Sequence, residues 1–265
     1  MAVSLKDKWV LITGASSGFG AAAARLFGAE SARLLLGARR VDRLERVAAE
    51  ARAAGAAEAH AHFLDVASTE SVEAFMAWAR QVMAPGEPQA ARLDVLVNNA
   101  GGAQGLDPVM DAKDEDWEAM IQSNVLGVLR MSRAALPLMI RNPGSSILNI
   151  GSIAGRVAYE GGAAYCAAKA GELQITRALR LELCGTGVRV CTIDPGMAET
   201  EFSLVRFKGD AARAGKVYEG VQPLTAEDVA EIMVWVASRP PHVNIDELVV
   251  KPTDQAAIHK VYRRK

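Results

Sequence analysis

Short apolar runs alternate along the chain with longer amphipathic stretches. WVLIT (9–13), RLLLGA (33–38), AHFLDV (61–66), LDVLVNN (93–99), SILNIGS (146–152), VRVCTID (188–194) and ELVVK (247–251) each have strand length and lie near turn residues. Between them, stretches at 41–54, 69–83, 114–141 and 225–238 carry apolar residues at helical spacing. Strand and helix alternating in this way, with nearly continuous apolar strands, predicts a parallel seven-stranded sheet with helices on both faces. No repeat, low-complexity tract or long linker interrupts the pattern, so residues 1–265 read as one doubly wound α/β domain. The segment 195–222 follows a strand, is mixed in charge and has weaker regularity. A long loop of that kind is the candidate substrate flap.

Composition narrows the class. Half the 265 residues are hydrophobic and 23% are charged, as in a globular protein with a large core. A formal net charge of −1 gives no broad electrostatic reason to bind nucleic acid or an anionic membrane. No apolar stretch approaches the roughly 18 residues of a membrane span, and MAVSLKDKWVLITG lacks a signal-peptide layout. Three cysteines, Cys166, Cys184 and Cys191, form no CxxC pair, so the expectation is a reduced, cytoplasmic protein. His60 and His62 could share a strand face, but with no carboxylate or thiolate nearby in sequence no metal is expected.

Directly after the first strand comes TGASSGFG, with Gly14, Gly18 and Gly20 spaced as GxxxGxG and Ser16, Ser17 and Phe19 between them. This is not the GxGxxG fingerprint, but its mechanics are similar. Glycines turn the backbone tightly, and a helix begins with free N–H groups directed at a phosphate, giving a Rossmann-like reading. The second strand ends in GARR. Gly37 stands where an acid would hold a ribose 2′-hydroxyl, and Arg39 and Arg40 follow as partners for a 2′-phosphate. That favours NADP over NAD; the bland alternative is two solvated arginines opening a helix. Asp65 and Val66, ending the third strand, are placed to meet the adenine. Asn99, Ala100 and Gly101 offer backbone to the cofactor at the end of the fourth.

Ser152 ends the fifth strand, Tyr165 follows thirteen residues later and Lys169 four after that, while Asn124 interrupts an apolar helix upstream. With these residues in order, the chain resembles the short-chain dehydrogenase/reductase family over essentially its whole length. The resemblance rests on TGASSGFG, NNAG (98–101), Asn124, Ser152, YCAAK (165–169), and DPG (194–196) with Thr200. Tyr165 and Lys169 at i and i+4 share one helix face, and a nearby ammonium favours phenolate, lowering the tyrosine pKa towards working pH. Tyr165 is then the proton-transfer group. Ser152 would hold the substrate oxygen, and Lys169 would also reach the nicotinamide ribose. The resemblance implies that Asn124 orders water linking Lys169 to solvent; taken alone, Asn124 reads as a helix residue satisfied by backbone. Pro195, Gly196 and Met197 would present backbone to the carboxamide, and Thr200 a hydroxyl. Cys166, one residue off the tyrosine face, reads as packing.

The C-terminal third, notably TEFSLVRFKGD (200–210) and VKPTDQ (250–255), resembles the NADP-dependent 3-hydroxy acid dehydrogenases, which include serine and L-allo-threonine dehydrogenases. A small 3-hydroxy acid is the substrate this implies. Its carboxylate needs an anchor near Ser152 and Tyr165, and Arg156, Arg206 and Lys208 are the three candidates. Two other readings stay open: a reductase of a larger neutral ketone or 3-oxoacyl substrate, and a non-catalytic NADP sensor. The apolar helices at 114–141 and 162–184 have surface to spare, and the family is commonly tetrameric, so a homotetramer is expected.

Overall fold

Neighbouring residues of each central strand enter opposite helix layers, which is how a parallel sheet becomes a core. In a computed structural model, which describes residues 2–264, the elements run β1 (Trp9–Thr13), α1 (Gly18–Ala29), β2 (Arg33–Ala38), α2 (Val41–Ala54), β3 (Glu58–Phe63), α3 (Thr69–Met83) and β4 (Val95–Asn98). They continue as α4 (Asp114–Ile121), α5 (Gly127–Met139), β5 (Ser146–Ile150), α6 (Ala163–Glu182), β6 (Arg189–Pro195), α7 (Phe202–Arg206), α8 (Ala211–Lys216), α9 (Ala226–Ala237) and β7 (Glu247–Val250). All seven strands pair in parallel in the order β3-β2-β1-β4-β5-β6-β7. Val10, Ile12, Leu34, Leu36, Val95 and Val97 face the layer of α1, α2 and α9. Trp9, Leu11, Leu35 and Leu96 face that of α3, α5 and α6. The strand order reverses between β1 and β4, and a crevice opens there beyond the strand carboxyl ends, where doubly wound sheets take ligands.

The structure departs from the sequence pattern at four places. The third strand occupies 58–63 rather than 61–66, because Leu64 and Val66 turn inward to fill the α3 layer instead of extending the edge ladder. Asp65 and Val66 therefore lie just past the strand. The helix expected over 114–141 is broken by a π-helical turn at Gln122–Leu126, where the Asn124 side chain donates to the Met120 carbonyl at 2.8 Å. A C-terminal hairpin, β8 (Gln255–Ala257) with β9 (Lys260–Val261), had no signal in the apolar pattern because its residues are short and mixed in polarity. Within 195–222, the segment folds into α7 and α8 rather than an unstructured loop.

Candidate active site

The β1–α1 turn needs its glycines. Gly14 and Gly18 sit at φ 65° and 53°, in the left-handed region. A Cβ on Gly20 would come within 2.6 Å of the Gly14 carbonyl and of the Asn99 amide. Asn99 Nδ2 donates to the Thr13 and Gly14 carbonyls at 2.9 and 3.2 Å, pinning the end of β4 to the turn. Ser17, the N-cap of α1, accepts no hydrogen bond from the helix, so its first N–H groups are not capped by that side chain. Instead Ser16 and Ser17 accept from the Arg40 guanidinium at 3.2 and 2.7 Å.

A cleft of about 760 Å³ runs from this turn to the end of β5, within the range of roughly 300–1,000 Å³ common for ligand sites. Gly14, Ser16, Ser17, Gly18, Phe19, Arg39 and Arg40 line its first end, with Asp65 and Val66 beside them. Asn99, Ala100 and Gly101 line its middle, and Ser152, Tyr165, Lys169, Pro195, Gly196, Met197 and Thr200 the far end. Gly20 stands behind the wall as packing. One detail of the strand reading changes: a side chain at Gly37 would run into Leu64 and Phe75, so that position faces the α3 layer, and Ala38 is the residue that faces the cleft. The end of β2 itself carries no carboxylate. Arg39, among the described residues, has no hydrogen-bond partner. These features fit a dinucleotide bearing a ribose phosphate.

At the far end, α6 carries Tyr165 and Lys169 on one buried face. Ser152 ends an extended stretch after β5, and its Oγ accepts from the Ala154 N–H at 3.1 Å. Lys169 Nζ donates to the Ile150 carbonyl at 2.7 Å and to Glu172 Oε2 at 2.6 Å. Burial works against the lysine charge, but Glu172 and Tyr165 outweigh it, and the lysine pKa is raised. The expected effect on Tyr165 is reversed. Burial pushes its phenol above the ordinary value, and although Lys169 and Ser152 pull it down, the Glu172 carboxylate pushes it up again. The ammonium does not act alone because its charge is matched by a carboxylate three residues along.

The three anchor candidates separate. Arg156 does not reach the cleft: its Nε donates to Asp194 at 2.6 Å and its Nη2 to Glu247 at 2.7 Å. Those two carboxylates, neither of which lines the cleft, hold the guanidinium away from it. Lys208 points outward and pairs with Asp116 at 2.9 Å. Arg206 alone is brought to the site. Its Nε donates to the Gly105 carbonyl at 2.8 Å. Its Cζ lies 5.4 Å from the Tyr159 ring centre and 5.9 Å from that of Tyr165, and its Nη2 is buried without a hydrogen-bond partner among the described residues. Asn124 is also held back from the cleft wall. It accepts from Gly102 N at 3.1 Å and donates to the Gly102 and Met120 carbonyls at 2.9 and 2.8 Å, clamping the loop after β4.

Sequence reasoning missed Glu172, Glu201, Arg43, Tyr159 and Gln255. Glu201, the N-cap of α7, pairs with Arg40 at 3.1 Å and Arg43 at 2.8 Å. Gln255 Oε1 accepts from Met197 N at 2.8 Å, so the C-terminal hairpin props the strand end that lines the cleft. Glu172 had a local signal in its i+3 spacing from Lys169, and Glu201 and Gln255 lay inside TEFSLVRFKGD and VKPTDQ without being singled out. Cys166 packs in a small cluster with Met120, Ala154 and Tyr165. Glu58, overlooked beside the histidines, pairs with His60 at 2.9 Å, while His62 stacks on Trp78. Among the described residues, no group of three His, Cys, Asp or Glu side chains could hold a metal ion.

Comparison with known proteins follows the same outline. The short chain dehydrogenase family model matches residues 8–209. The NADP-dependent 3-hydroxy acid dehydrogenase of Schizosaccharomyces pombe is 40% identical over 262 residues, 98% of each chain. Sulfoacetaldehyde reductase 2 of Chromohalobacter salexigens is 44% identical over 249 residues, 93% of this chain and 95% of the other. Among solved structures, the closed form of serine dehydrogenase complexed with NADP+ superposes with a TM-score of 0.86 at 40% identity, covering 97% of this chain and all of that one.

Proposed function

Because the chain belongs to the short chain dehydrogenase family, we propose that it is an NADP-dependent oxidoreductase interconverting a small 3-hydroxy acid and its 3-oxo acid. Serine, L-allo-threonine, 3-hydroxyisobutyrate and 3-hydroxypropionate define the substrate type. The observation that carries this reading is Arg206: a guanidinium over the Tyr165 ring with one buried N–H group unpaired. A buried donor left without a partner is destabilising, and a substrate anion supplies the partner. Guanidinium binds carboxylates in a planar, two-pronged fashion, and a sulfonate presents similar oxygens, in keeping with the sulfoacetaldehyde reductase among the relatives.

NADP, when bound, supplies the hydride acceptor or donor. Arg39 and Arg40 would hold the 2′-phosphate, and the uncapped start of α1 would receive the pyrophosphate. Ser152 orients the substrate oxygen beside Tyr165. In oxidation Tyr165 Oη takes the hydroxyl proton, and in reduction it returns one to the carbonyl oxygen. Lys169 sets the charge beside that phenol and meets the ribose. The segment 195–222 acts as the substrate flap, since α7 ends in Arg206 at the anchor. Exposed Ile121, Leu129 and Ile140 along α4 and α5 support assembly, as a homotetramer. Three free cysteines accord with a cytoplasmic setting.

The test is a panel of the four acids against a neutral alcohol of similar size, with NADP. Arg206→Ala lowers kcat/KM for the acids by about 30-fold or more, the equivalent of about 2 kcal/mol for an unpaired buried charge, and affects the neutral alcohol far less. Equal losses for acid and neutral substrates would sink the anchor and favour the reading as a reductase of neutral ketones.

A further inference from the structure

The buried face of α6 continues past the two residues assigned to catalysis. Tyr165, Lys169, Glu172 and Thr176 follow at helical spacing and are 8%, 7%, 1% and 0% exposed. Glu172 is therefore a carboxylic acid enclosed in the protein, with one oxygen on Lys169 and the other, Oε1, with no partner. Thr176 below it does not supply that partner, since its hydroxyl donates to the Glu172 backbone carbonyl and accepts from Asn149. A buried ion pair is weak as a device for stability, because removing two charges from water offsets most of their attraction. An apolar residue would fill this position with less penalty. The presence of an acid here has a consequence for the charge beside Tyr165.

The groups facing Glu172 are few. Lys169 and Tyr165 come from its own helix, and Asp194 comes from β6, itself held by Arg156 and by the Thr192 hydroxyl. The π turn at Gln122–Leu126 and the turn at Ile153–Gly155, both packed against α6, carry no titratable side chain. Asp114, Glu115, Asp116 and Glu118 of α4 and Arg189 and Cys191 of β6, elements that also pack against α6, do not act on the Glu172 carboxyl. Burial pushes the Glu172 carboxyl up, Lys169 pulls it down, and the balance stands at about 7. When Glu172 is ionised, the Lys169–Glu172 pair is neutral as a unit and favours the Tyr165 phenolate weakly. When Glu172 is neutral, the ammonium acts on the phenol uncompensated.

We infer that Glu172 is a positioning residue that holds the Lys169 ammonium and, when ionised, cancels part of its field, so that Tyr165 holds its proton and serves as a proton donor. The site is thereby set kinetically for reduction of a carbonyl, with oxidation of the alcohol rising only at higher pH. This rests on Tyr165 being the proton-transfer group, which Tyr165→Phe tests separately through loss of turnover.

Ionisation of Tyr165 is read by ultraviolet difference titration, subtracting the Tyr165→Phe protein, in wild type, Glu172→Gln and Glu172→Asp. Removal of the charge in Glu172→Gln lowers the Tyr165 midpoint by on the order of one pH unit, and the pH profile of alcohol oxidation moves down with it. Glu172→Asp, which keeps the charge, returns the midpoint towards wild type. A midpoint in Glu172→Gln equal to or above that of wild type overturns the inference. Should that variant not fold, the carboxyl of Glu172 is titrated by isotope-edited infrared spectroscopy in wild type and Lys169→Met. Loss of the ammonium keeps the carboxyl protonated to higher pH; an unmoved midpoint means the pair is not coupled and the inference fails.

Discussion

The two ends of the cleft hold charge in opposite ways. At the phosphate end, Arg40, Arg43 and Glu201 are each roughly 40% exposed, and their ion pairs sit against water. At the reacting end, Lys169 and Glu172 are enclosed, and only backbone and each other satisfy them. Solvent screens the first set, so its members act as additive, modest contacts. The second set lies where the effective dielectric is low, and one altered proton changes all its neighbours. The phosphate end is therefore suited to recognition and the reacting end to control of protonation.

That contrast is broken most directly at Tyr165. Tyr165→Phe removes the hydroxyl while leaving the ring packed beside Phe202, whose centre is 5.6 Å away. Turnover falls by about 100- to 10,000-fold, the usual contribution of a positioned proton-transfer group, whereas NADP affinity measured by fluorescence titration changes little. If turnover survives, the two ends differ in burial but not in chemical role.

Stability against pH gives the next largest effect. The Glu172 carboxyl is raised from an ordinary 4.5 to about 7 in the folded protein, so the folded state binds the extra proton. The stabilisation this brings is fully present below about pH 4.5 and is lost as pH rises through 7. Denaturant midpoints followed across that window should slope downward in wild type relative to Glu172→Gln. At the exposed β7 edge, Glu247 has the opposite sign. Arg177 and Arg156 hold it down at about 2, and its contribution is lost as pH falls from 4.5 through that value. Parallel curves for wild type and Glu172→Gln would mean that the buried pair does not titrate in this range.

How much of this was legible in the sequence follows the same division. The strands, the glycine turn and the Tyr165–Lys169 spacing are local patterns, and short-range sterics place them without reference to the rest of the chain. GARR was readable as a strand end with two arginines at the cleft, but the direction of Gly37 was not, because it depends on Leu64 and Phe75 from other elements. The anchor could be narrowed only to three cations. Arg156 and Lys208 are removed by Asp194, Glu247 and Asp116, which lie far from them in sequence. Glu172 was within reach at i+3 from Lys169, yet an acid on a mixed helix reads as solvated until its face is known to be buried. Oligomeric state and substrate identity depend on surfaces and ligands that spacing does not encode.

Within the phosphate end, the two arginines of GARR should separate. Arg39 is exposed and, among the described residues, makes no hydrogen bond, while Arg40 also ties Ser16 and Ser17 of the turn. Arg39→Ala weakens NADP by about 10- to 100-fold, as expected for a lost charge-assisted contact, and leaves NAD nearly unchanged. Arg40→Ala weakens both, because the turn that receives the pyrophosphate loses its brace. Calorimetric titration with each cofactor distinguishes the patterns, and an Arg39→Ala protein that loses NAD and NADP equally would remove the 2′-phosphate from this position.

The smallest effect expected is the most informative about the exposed end. Glu201 pairs with Arg40 and Arg43, and as the N-cap of α7 it begins the same short helix that ends in Arg206. If Arg40 takes the 2′-phosphate as proposed, the Glu201 carboxylate competes for it and repels the phosphate. Exposed pairs of this kind are worth about 0.2–1 kcal/mol, so Glu201→Gln tightens NADP by at most about fivefold, with no change for NAD. The effect shrinks further as salt is raised, because these charges are open to screening. A different result would shift the role of Glu201. If NADP and NAD respond alike and the KM of the acid substrate rises, the carboxylate serves to place α7 and Arg206 rather than to compete for the phosphate site. In that case the two ends of the cleft are joined mechanically through five residues, and the exposed end is not the independent recognition surface that its screened charges imply.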